Sequence, residues 1–146
     1  MKENISKIEM AAALAFFAHN GQKDKAGRPY IYHPLAVAEK LEGENENITA
    51  LLHDVIEDTF VELSTLRNLF GDEIAEAVDA MTHREDEDYF DYIERLSHDP
   101  ISRKVKLEDL SHNMDISRIP NVTERDLQRL EKYKKAEKIL PEKEGK

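Results

Sequence analysis

The chain has 146 residues, with 31 acidic side chains against 21 basic ones and a formal net charge of −10. This length predicts one domain with a sizeable core, spanning 1–146, and leaves no room for a second catalytic module. The acidic balance argues against a protein that binds duplex nucleic acid, because such proteins neutralise phosphates with a basic surface. The absence of cysteine excludes disulfides and thiolate metal sites, and it agrees with a reducing compartment.

No stretch is apolar enough to span a membrane, and the first residues lack the apolar core of a signal peptide. The expected location is therefore the cytoplasm. Nothing in the sequence predicts the oligomeric state.

The first half of the chain is predicted to form helices joined by polar loops, from the helical spacing of apolar residues and the positions of glycine and proline. Asn47 is the expected N-cap of the third helix. In chain order, the elements are a helix over 5–18, a loop over 19–32, a short helix over 34–41, a polar link over 42–46 and a helix over 48–58.

The second half continues in the same way, with Gly71 ending one helix before the next begins. Asp99-Pro100 is a cap followed by a proline, and Thr123 is a cap followed by acidic residues, so each predicts a helix start. Almost no segment alternates as a strand does, and the predicted fold class is all-α. The elements are helices over 62–70, 72–81, 89–97 and 100–110, a last helix from Thr123 that Pro141 ends, and a frayed tail over 141–146.

His53 and Asp54 stand side by side in the predicted helix over 48–58, with Glu57 and Asp58 one turn later. On a continuous helix, His53 and Glu57 are four residues apart, and so are Asp54 and Asp58. The two polar pairs then share one surface, and the apolar residues around them indicate a partly buried pocket. This cluster predicts a divalent cation site and, with it, a metal-dependent hydrolase.

Two further residues extend this cluster to a mixed set of nitrogen and oxygen donors. His33 precedes Pro34, which suits the first turn of a helix, and Asp109 lies among apolar residues of a later helix. Two imidazoles and two carboxylates suit manganese, iron or zinc, and they do not suit calcium, which prefers oxygen ligands only. The spacing alone leaves open whether His33 and Asp109 meet His53 and Asp54.

An ordered series of motifs occurs at 18–22, 27–34, 50–59, 70–71 and 107–114. Its central elements are His33-Pro34, then His53-Asp54 with Glu57-Asp58, and finally Asp109. With these motifs the chain resembles the hydrolase domain of the RelA/SpoT alarmone enzymes, and more closely the stand-alone small alarmone hydrolases of the HD superfamily. The resemblance covers roughly residues 10–120. It implies an HD-domain helical bundle with a single metal site.

The resemblance also implies roles for individual residues. Glu57 and Asp58 match the acidic pair that positions or deprotonates the attacking water, which agrees with a carboxylate accepting a proton beside a cation. One divalent metal, usually manganese in this family, is expected. The residues that match its ligands are His33, His53, Asp54 and Asp109.

The implied substrate is a small nucleotide, and the implied reaction is hydrolysis of the 3′-pyrophosphate of ppGpp or pppGpp to GDP or GTP plus pyrophosphate. Asn113 matches a substrate-contacting asparagine, and Lys25 matches a basic residue that faces the phosphates. Lys23 and Arg28 are further candidates for phosphate contacts in the same loop.

Three positions depart from the family pattern, because Asp24, Leu110 and Asp115 stand where the family commonly has basic residues. Fewer basic side chains lower the affinity for a tetra-anionic substrate, since bidentate arginine contacts to phosphate are among the stronger hydrogen bonds. Lys23 or Arg28 can compensate, or the phosphate handle of the substrate can be smaller or differently placed.

Two alternatives to alarmone hydrolysis therefore stay open. One is an HD phosphohydrolase acting on another nucleotide phosphate, such as a nucleoside monophosphate or the 2′-phosphate of NADPH. The other is a non-catalytic nucleotide-binding regulatory module. The length predicts that no synthetase half is present. The histidines expected at the surface or at helix ends, outside the ligand set, are His19, His83, His98 and His112.

Overall fold

The computed structural model describes residues 5–142, with side chains for 5–140. Within this range the chain forms helices and no strand, and its β pairing is one isolated bridge between Lys23 and Pro29. The all-α prediction is therefore confirmed. The helices are α1 (Lys7–Ala18), α2 (Tyr32–Glu39), α3 (Glu44–Leu52), α4 (Val55–Asp58), α5 (Leu63–Phe70), α6 (Asp72–Ala80), α7 (Tyr89–Leu96), α8 (Pro100–Asn113), the 3₁₀ turn η1 (Ile116–Arg118) and α9 (Glu124–Glu142).

The start of α3 differs from the sequence-based prediction, because Asn47 lies inside the helix and Gly43 is its N-cap. The Asn47 side chain donates hydrogen bonds of 3.0 and 2.8 Å to the carbonyls of Ala38 and Leu41. Asn47 thus ties the C-terminal end of α2 to α3. Helix α3 begins at Glu44, inside the predicted link over 42–46, so the observed link is shorter than predicted.

The predicted helix over 48–58 is interrupted at His53 and Asp54, which separate α3 from α4. The carbonyl of Ala50 accepts a contact of 2.7 Å from Nδ1 of His53 and 3.5 Å from its backbone N–H. The side chain of His53 thus competes for the carbonyl that the amide of Asp54 would use in a continuous helix, and the backbone of Asp54 leaves helical geometry with φ −108° and ψ 0°. The prediction of one continuous helix was wrong, and the break lies at the central motif.

Two apolar clusters hold the helices together, and α3 lies between its neighbours α1, α2, α6 and α8. The larger cluster joins buried residues from α1 to α6 with the first turns of α8. The smaller one joins α7, the end of α8 and α9. Helix α8 contributes buried residues to both clusters, and the two clusters together fix the orientation of its polar face. None of the helices in the described range is both long and apolar enough to cross a membrane.

The start of α9 agrees with the prediction from the sequence. The hydroxyl of Thr123 accepts the amide of Asp126 at 3.2 Å, and Oδ2 of Asp126 accepts the amide of Thr123 at 2.9 Å. This reciprocal pair is a capping box. The helix passes Pro141 and includes Glu142, one residue beyond its predicted end, and residues 143–146 of the predicted tail lie outside the described range.

Leu110, one of the three departures from the family pattern, is fully buried against α9 in the smaller cluster. We expect Leu110→Ala to lower the free energy of unfolding by about 2–5 kcal/mol, because the truncation leaves a cavity at a packed site. Denaturant unfolding followed by circular dichroism measures this loss. Ser111→Ala, at the exposed neighbour, is the control and is expected to change little. A loss as small as that of the control would contradict the packing described here.

Candidate metal centre

Three potential metal ligands from different helices meet at one buried point. His33 lies in the first turn of α2, His53 follows the end of α3, and Asp109 lies in α8. One donor atom from each lies within 4.8 Å of the other two, and all three residues are buried. The sequence could not show this meeting, because 76 residues separate His33 from Asp109.

Asp54 completes the set of four predicted ligands around His53. Nε2 of His53 lies 3.2 Å from Oδ2 of Asp54 and 3.4 Å from Oδ1 of Asp109. Nε2 of His33 lies 2.7 Å from the same Oδ1 of Asp109. His33, His53 and Asp109 thus present two imidazole nitrogens and one carboxylate to a common volume, and Asp54 adds a second carboxylate beside His53. This donor set fits a transition metal such as manganese, iron or zinc.

The environment of His53 fits a cation more closely than it fits the bare protein. Because Nδ1 faces the carbonyl of Ala50, the ring proton belongs on Nδ1 and the lone pair on Nε2. That Nε2 is buried and has no hydrogen-bond partner among the described residues. Burial opposes a charge on the ring, but the carboxylates of Asp54 and Asp109 outweigh burial and raise the pKa of His53 well above its usual value. A divalent cation and a proton compete for this lone pair.

Asp109 is held in place by two further residues of α8. Its Oδ2 accepts a 2.9 Å hydrogen bond from Nζ of Lys106, and its Oδ1 accepts one of 3.1 Å from Nδ2 of Asn113. Burial opposes the carboxylate charge, but the ammonium of Lys106 and the ring of His53 hold the pKa of Asp109 well below its usual value. Lys106 therefore leaves Oδ1 as the oxygen that faces the two histidines.

Tyr30 orients Asp54 from the loop before α2. Its hydroxyl donates to Oδ2 of Asp54, and its ring lies 5.5 Å from the ring of His33 and 5.0 Å from that of His19. Burial, and then the charge of Asp54, raise the pKa of Tyr30, so the phenol stays a donor. His19 ends α1 as predicted, yet its side chain is buried behind Tyr30.

Glu57 and Asp58 lie in α4 beside the cluster, and both are exposed. Glu57 lines a small polar pocket together with Asp54 and Asp109, and its Oε1 accepts the amide of His83 at 3.1 Å. Partial burial, and then the charges of Asp54 and Glu57, raise the pKa of Asp58 to about 6. Glu57 thus shares a pocket with two of the predicted ligands, and Asp58 lies close enough to Asp54 for the charge of Asp54 to raise its pKa.

A cleft of about 320 Å³ adjoins the cluster, and Tyr30, His33 and Asn113 are among the residues that line it. Apolar side chains from η1 and α9 form part of its wall. The basic residues that line it are Lys23, Lys25, Arg118 and Arg129. Anionic groups of a ligand are expected to bind there, because the whole protein is acidic and this cleft is locally cationic.

The buried carboxylate of Asp126 organises two of these basic residues. Its Oδ1 lies 2.8 Å from Nζ of Lys25 and 3.2 Å from Nη1 of Arg129. Its Oδ2 is used by Thr123 in the cap of α9. One helix cap thus fixes the position of two cations in the cleft.

Arg28 lies outside the cleft, unlike Lys23 and Lys25. Its guanidinium carbon is 4.2 Å from the centre of the Tyr32 ring, and both residues line a neighbouring groove. The assignment of Arg28 to substrate binding stays a prediction. Its position favours other residues for that role.

The two acidic departures from the family pattern have structural roles. Oδ1 of Asp24 accepts two backbone N–H groups of its own loop, and Oδ2 lies 3.7 Å from Nη1 of Arg118. Asp115 accepts the amide and the hydroxyl of Ser117 and so caps η1. Arg118 therefore brings a cation into the cleft from a position that the sequence pattern did not single out.

Several residues of the site were missed by sequence reasoning. Lys106 and His112 contact predicted metal ligands, and Arg118 and Arg129 line the cleft. Lys106 and His112 lie three residues before and three residues after Asp109 on α8. Residues with this spacing are neighbours on a helix, so both could have been found once Asp109 was predicted as a ligand. No local signal marks Arg118 or Arg129, because their role depends on how η1 and α9 pack.

A profile described as the HD domain matches residues 11–136, a range that includes all four predicted ligands. The chain belongs to the HD domain family.

Curated relatives agree with the resemblance found from the motifs. A probable GTP pyrophosphokinase of Mycobacterium leprae is 37% identical over 126 residues, which are 77% of this chain and 16% of that protein. The bifunctional (p)ppGpp synthase/hydrolase SpoT of Escherichia coli K12 is 34% identical over 129 residues, which are 77% of this chain and 18% of SpoT. This HD domain therefore spans less than a fifth of the length of these relatives.

A solved structure shows the same fold. It is described as a metazoan ortholog of SpoT that hydrolyses ppGpp and plays a role in starvation responses. The TM-score is 0.75 at 23% identity, over 98% of this chain and 88% of that one. The likeness confirms the predicted HD-domain bundle.

Proposed function

We propose that this HD domain hydrolyses the 3′-pyrophosphate of ppGpp or pppGpp and releases pyrophosphate with GDP or GTP. The observation that carries the proposal is the buried donor cluster of His33, His53 and Asp109, which meets a cationic cleft at His33. The names of the relatives, a SpoT synthase/hydrolase among them, support the choice of substrate. We further propose manganese as the metal and the cytoplasm as the location, since the absence of cysteine agrees with a reducing compartment.

The proposed ligands of this metal are His33, His53, Asp54 and Asp109. A bound divalent cation would supply Lewis acidity for a phosphoryl oxygen and lower the pKa of water. Lys106 and Asn113 hold Asp109 in place for that purpose.

Proton transfer is assigned to the acids of α4. Glu57 lines the polar pocket next to Asp54 and Asp109, where it can accept a proton from the attacking water. Asp58 is the second acceptor in this proposal, because its raised pKa of about 6 lies nearer to neutral pH than that of an ordinary aspartate.

The cleft is the proposed site for the rest of the nucleotide. Asn113 lines it, and Lys23 and Lys25 come from the loop before α2. Arg118 and Arg129 add two planar guanidinium groups, which suit phosphate oxygens. The apolar wall from η1 and α9 offers a surface for the base.

The test is to incubate manganese-loaded protein with ppGpp and follow the products by anion-exchange chromatography, with a chelator-treated sample alongside. GDP and pyrophosphate that form only with the metal would support the proposal. Intact ppGpp in both samples would overturn it.

A second candidate is an HD phosphohydrolase that acts on a nucleoside monophosphate or on the 2′-phosphate of NADPH. The ion pair of Arg118 with Asp24 favours it, because part of the cationic charge of the cleft is offset there. The same assay with these two nucleotides, read as released inorganic phosphate, separates the candidates. Binding of any of the nucleotides without turnover would instead indicate a regulatory module.

Arg118 and Arg28 provide a matched comparison of residues inside and outside the cleft. We expect Arg118→Gln to raise KM for ppGpp by roughly tenfold or more with little change in kcat, since a charge-assisted phosphate hydrogen bond contributes about 1.5–3 kcal/mol. Arg28→Gln is expected to leave KM unchanged. Initial rates over a range of ppGpp concentrations measure both. A larger effect at Arg28 than at Arg118 would contradict the placement of the substrate.

A further inference from the structure

His112 makes a contact that neither the motif nor the proposed chemistry requires. Its Nδ1 lies 2.8 Å from Nδ1 of His33, and the two rings are 4.9 Å apart at 33° to each other. Two imidazole nitrogens at this distance share one proton, so one donates and the other accepts.

A bound cation would decide which nitrogen carries that proton. Nε2 of His33 faces Asp109 and belongs to the donor cluster, so with a cation bound it would have to offer its lone pair. The ring proton of His33 would then be on Nδ1 and would be donated to Nδ1 of His112, and His112 would carry its own proton on Nε2.

We propose that His112 is a positioning residue that fixes the tautomer and the orientation of His33 for metal binding. The two ligand histidines are then oriented by different means. His53 donates to a main-chain carbonyl, that of Ala50, whereas His33 donates to a side chain. A partner for the second nitrogen of a metal-binding histidine is a general need of such sites.

The position of His112 is itself held from both directions. It lies three residues after Asp109 on α8, so the two side chains share a helix face. Its carbonyl accepts a 3.2 Å hydrogen bond from Nη2 of Arg118, which ties the end of α8 to η1. The ring of His112 therefore meets His33 without a large loss of side-chain freedom on metal binding.

The inference rests on the proposed metal centre and not on the identity of the substrate, so the test measures metal binding. Full-length wild type, His112→Leu and His112→Asn are titrated with Mn²⁺, and free Mn²⁺ is followed by electron paramagnetic resonance. We expect His112→Leu to weaken Mn²⁺ binding by about 10–100-fold, the usual effect of losing such a partner. His112→Asn is expected to restore most of the affinity, because Oδ1 of asparagine can accept from Nδ1 of His33 where Nδ1 of histidine did.

The control is His98→Asn. His98 is an exposed histidine between α7 and α8 and is not one of the proposed ligands or their partners. A second measurement is the thermal stability of the metal-free variants. A purely structural role would lower the thermal stability and the Mn²⁺ affinity of His112→Leu and His112→Asn alike, whereas the proposed role predicts that only His112→Asn keeps most of the affinity.

Three results would overturn the inference. They are wild-type Mn²⁺ affinity in His112→Leu, an equal loss of affinity in the asparagine and leucine variants, and a wild-type protein that binds no Mn²⁺. Mn²⁺ binding by wild type without turnover of ppGpp would instead count against the proposed function alone.

Discussion

Replacing Asp109 by asparagine is expected to abolish Mn²⁺ binding and to lower ppGpp hydrolysis by well over about 100-fold, more than the loss of an outer partner of the metal. Oδ1 of Asp109 is the point that both ligand histidines approach, at 2.7 Å from His33 and 3.4 Å from His53. An amide in this place removes the negative charge that a cation needs. Metal content by mass spectrometry and product formation by anion-exchange chromatography measure the two effects.

The same substitution is expected to destabilise the metal-free protein. Lys106 is buried, and its ammonium has Asp109 as its ion-pair partner at 2.9 Å. Removal of one partner from a buried pair leaves an uncompensated charge and costs about 3–5 kcal/mol. Denaturant unfolding of the metal-free protein measures this loss.

Glu108→Gln is the matched control for Asp109→Asn, because it removes one acidic charge from the adjacent position of α8, outside the donor cluster. It is expected to retain metal, activity and stability. An Asp109→Asn variant that binds Mn²⁺ and turns over like this control would remove Asp109 from the ligand set.

Replacing Glu57 by glutamine is the second change with a large expected effect. We expect kcat for ppGpp to fall by about 10²–10⁴-fold, the usual contribution of a positioned acid or base, with Mn²⁺ affinity near that of wild type. The amide of His83 orients Glu57 towards the pocket that Asp54 and Asp109 also line, so an isosteric amide keeps its shape and loses its basicity. Single-turnover kinetics with saturating Mn²⁺ measure the change.

Asp58→Asn is made alongside to divide the role between the two acids. A loss in Glu57→Gln that exceeds the loss in Asp58→Asn would assign proton transfer to Glu57, and the reverse would assign it to Asp58. Glu62→Gln, at the exposed N-cap of α5, is the control for the loss of one nearby carboxylate. If both Glu57→Gln and Asp58→Asn kept the kcat of the control, neither acid would be the proton acceptor.

Two helix starts in this chain were predictable from a local signal. Asp99-Pro100 begins α8 and Thr123 begins α9, because a cap and its amide partner lie within four residues of each other. Asn47 is a local capping signal of the same type, but the helix start predicted from it was wrong. Its side chain found carbonyls at the end of α2 in place of amides in its own helix, and only the packing of α2 against α3 brings those carbonyls near.

The sequence by itself determined the all-α class and the family resemblance, and it predicted four metal ligands, since residue types and their order are properties of the chain. Only the tertiary structure decided that His33, His53 and Asp109 meet, that the helix breaks at Asp54 and that His112 contacts His33. It also brought Arg118 and Arg129 into the cleft. The physical reason is that donor geometry depends on contacts between residues far apart in the chain, and helical periodicity carries no information about which helices pack together.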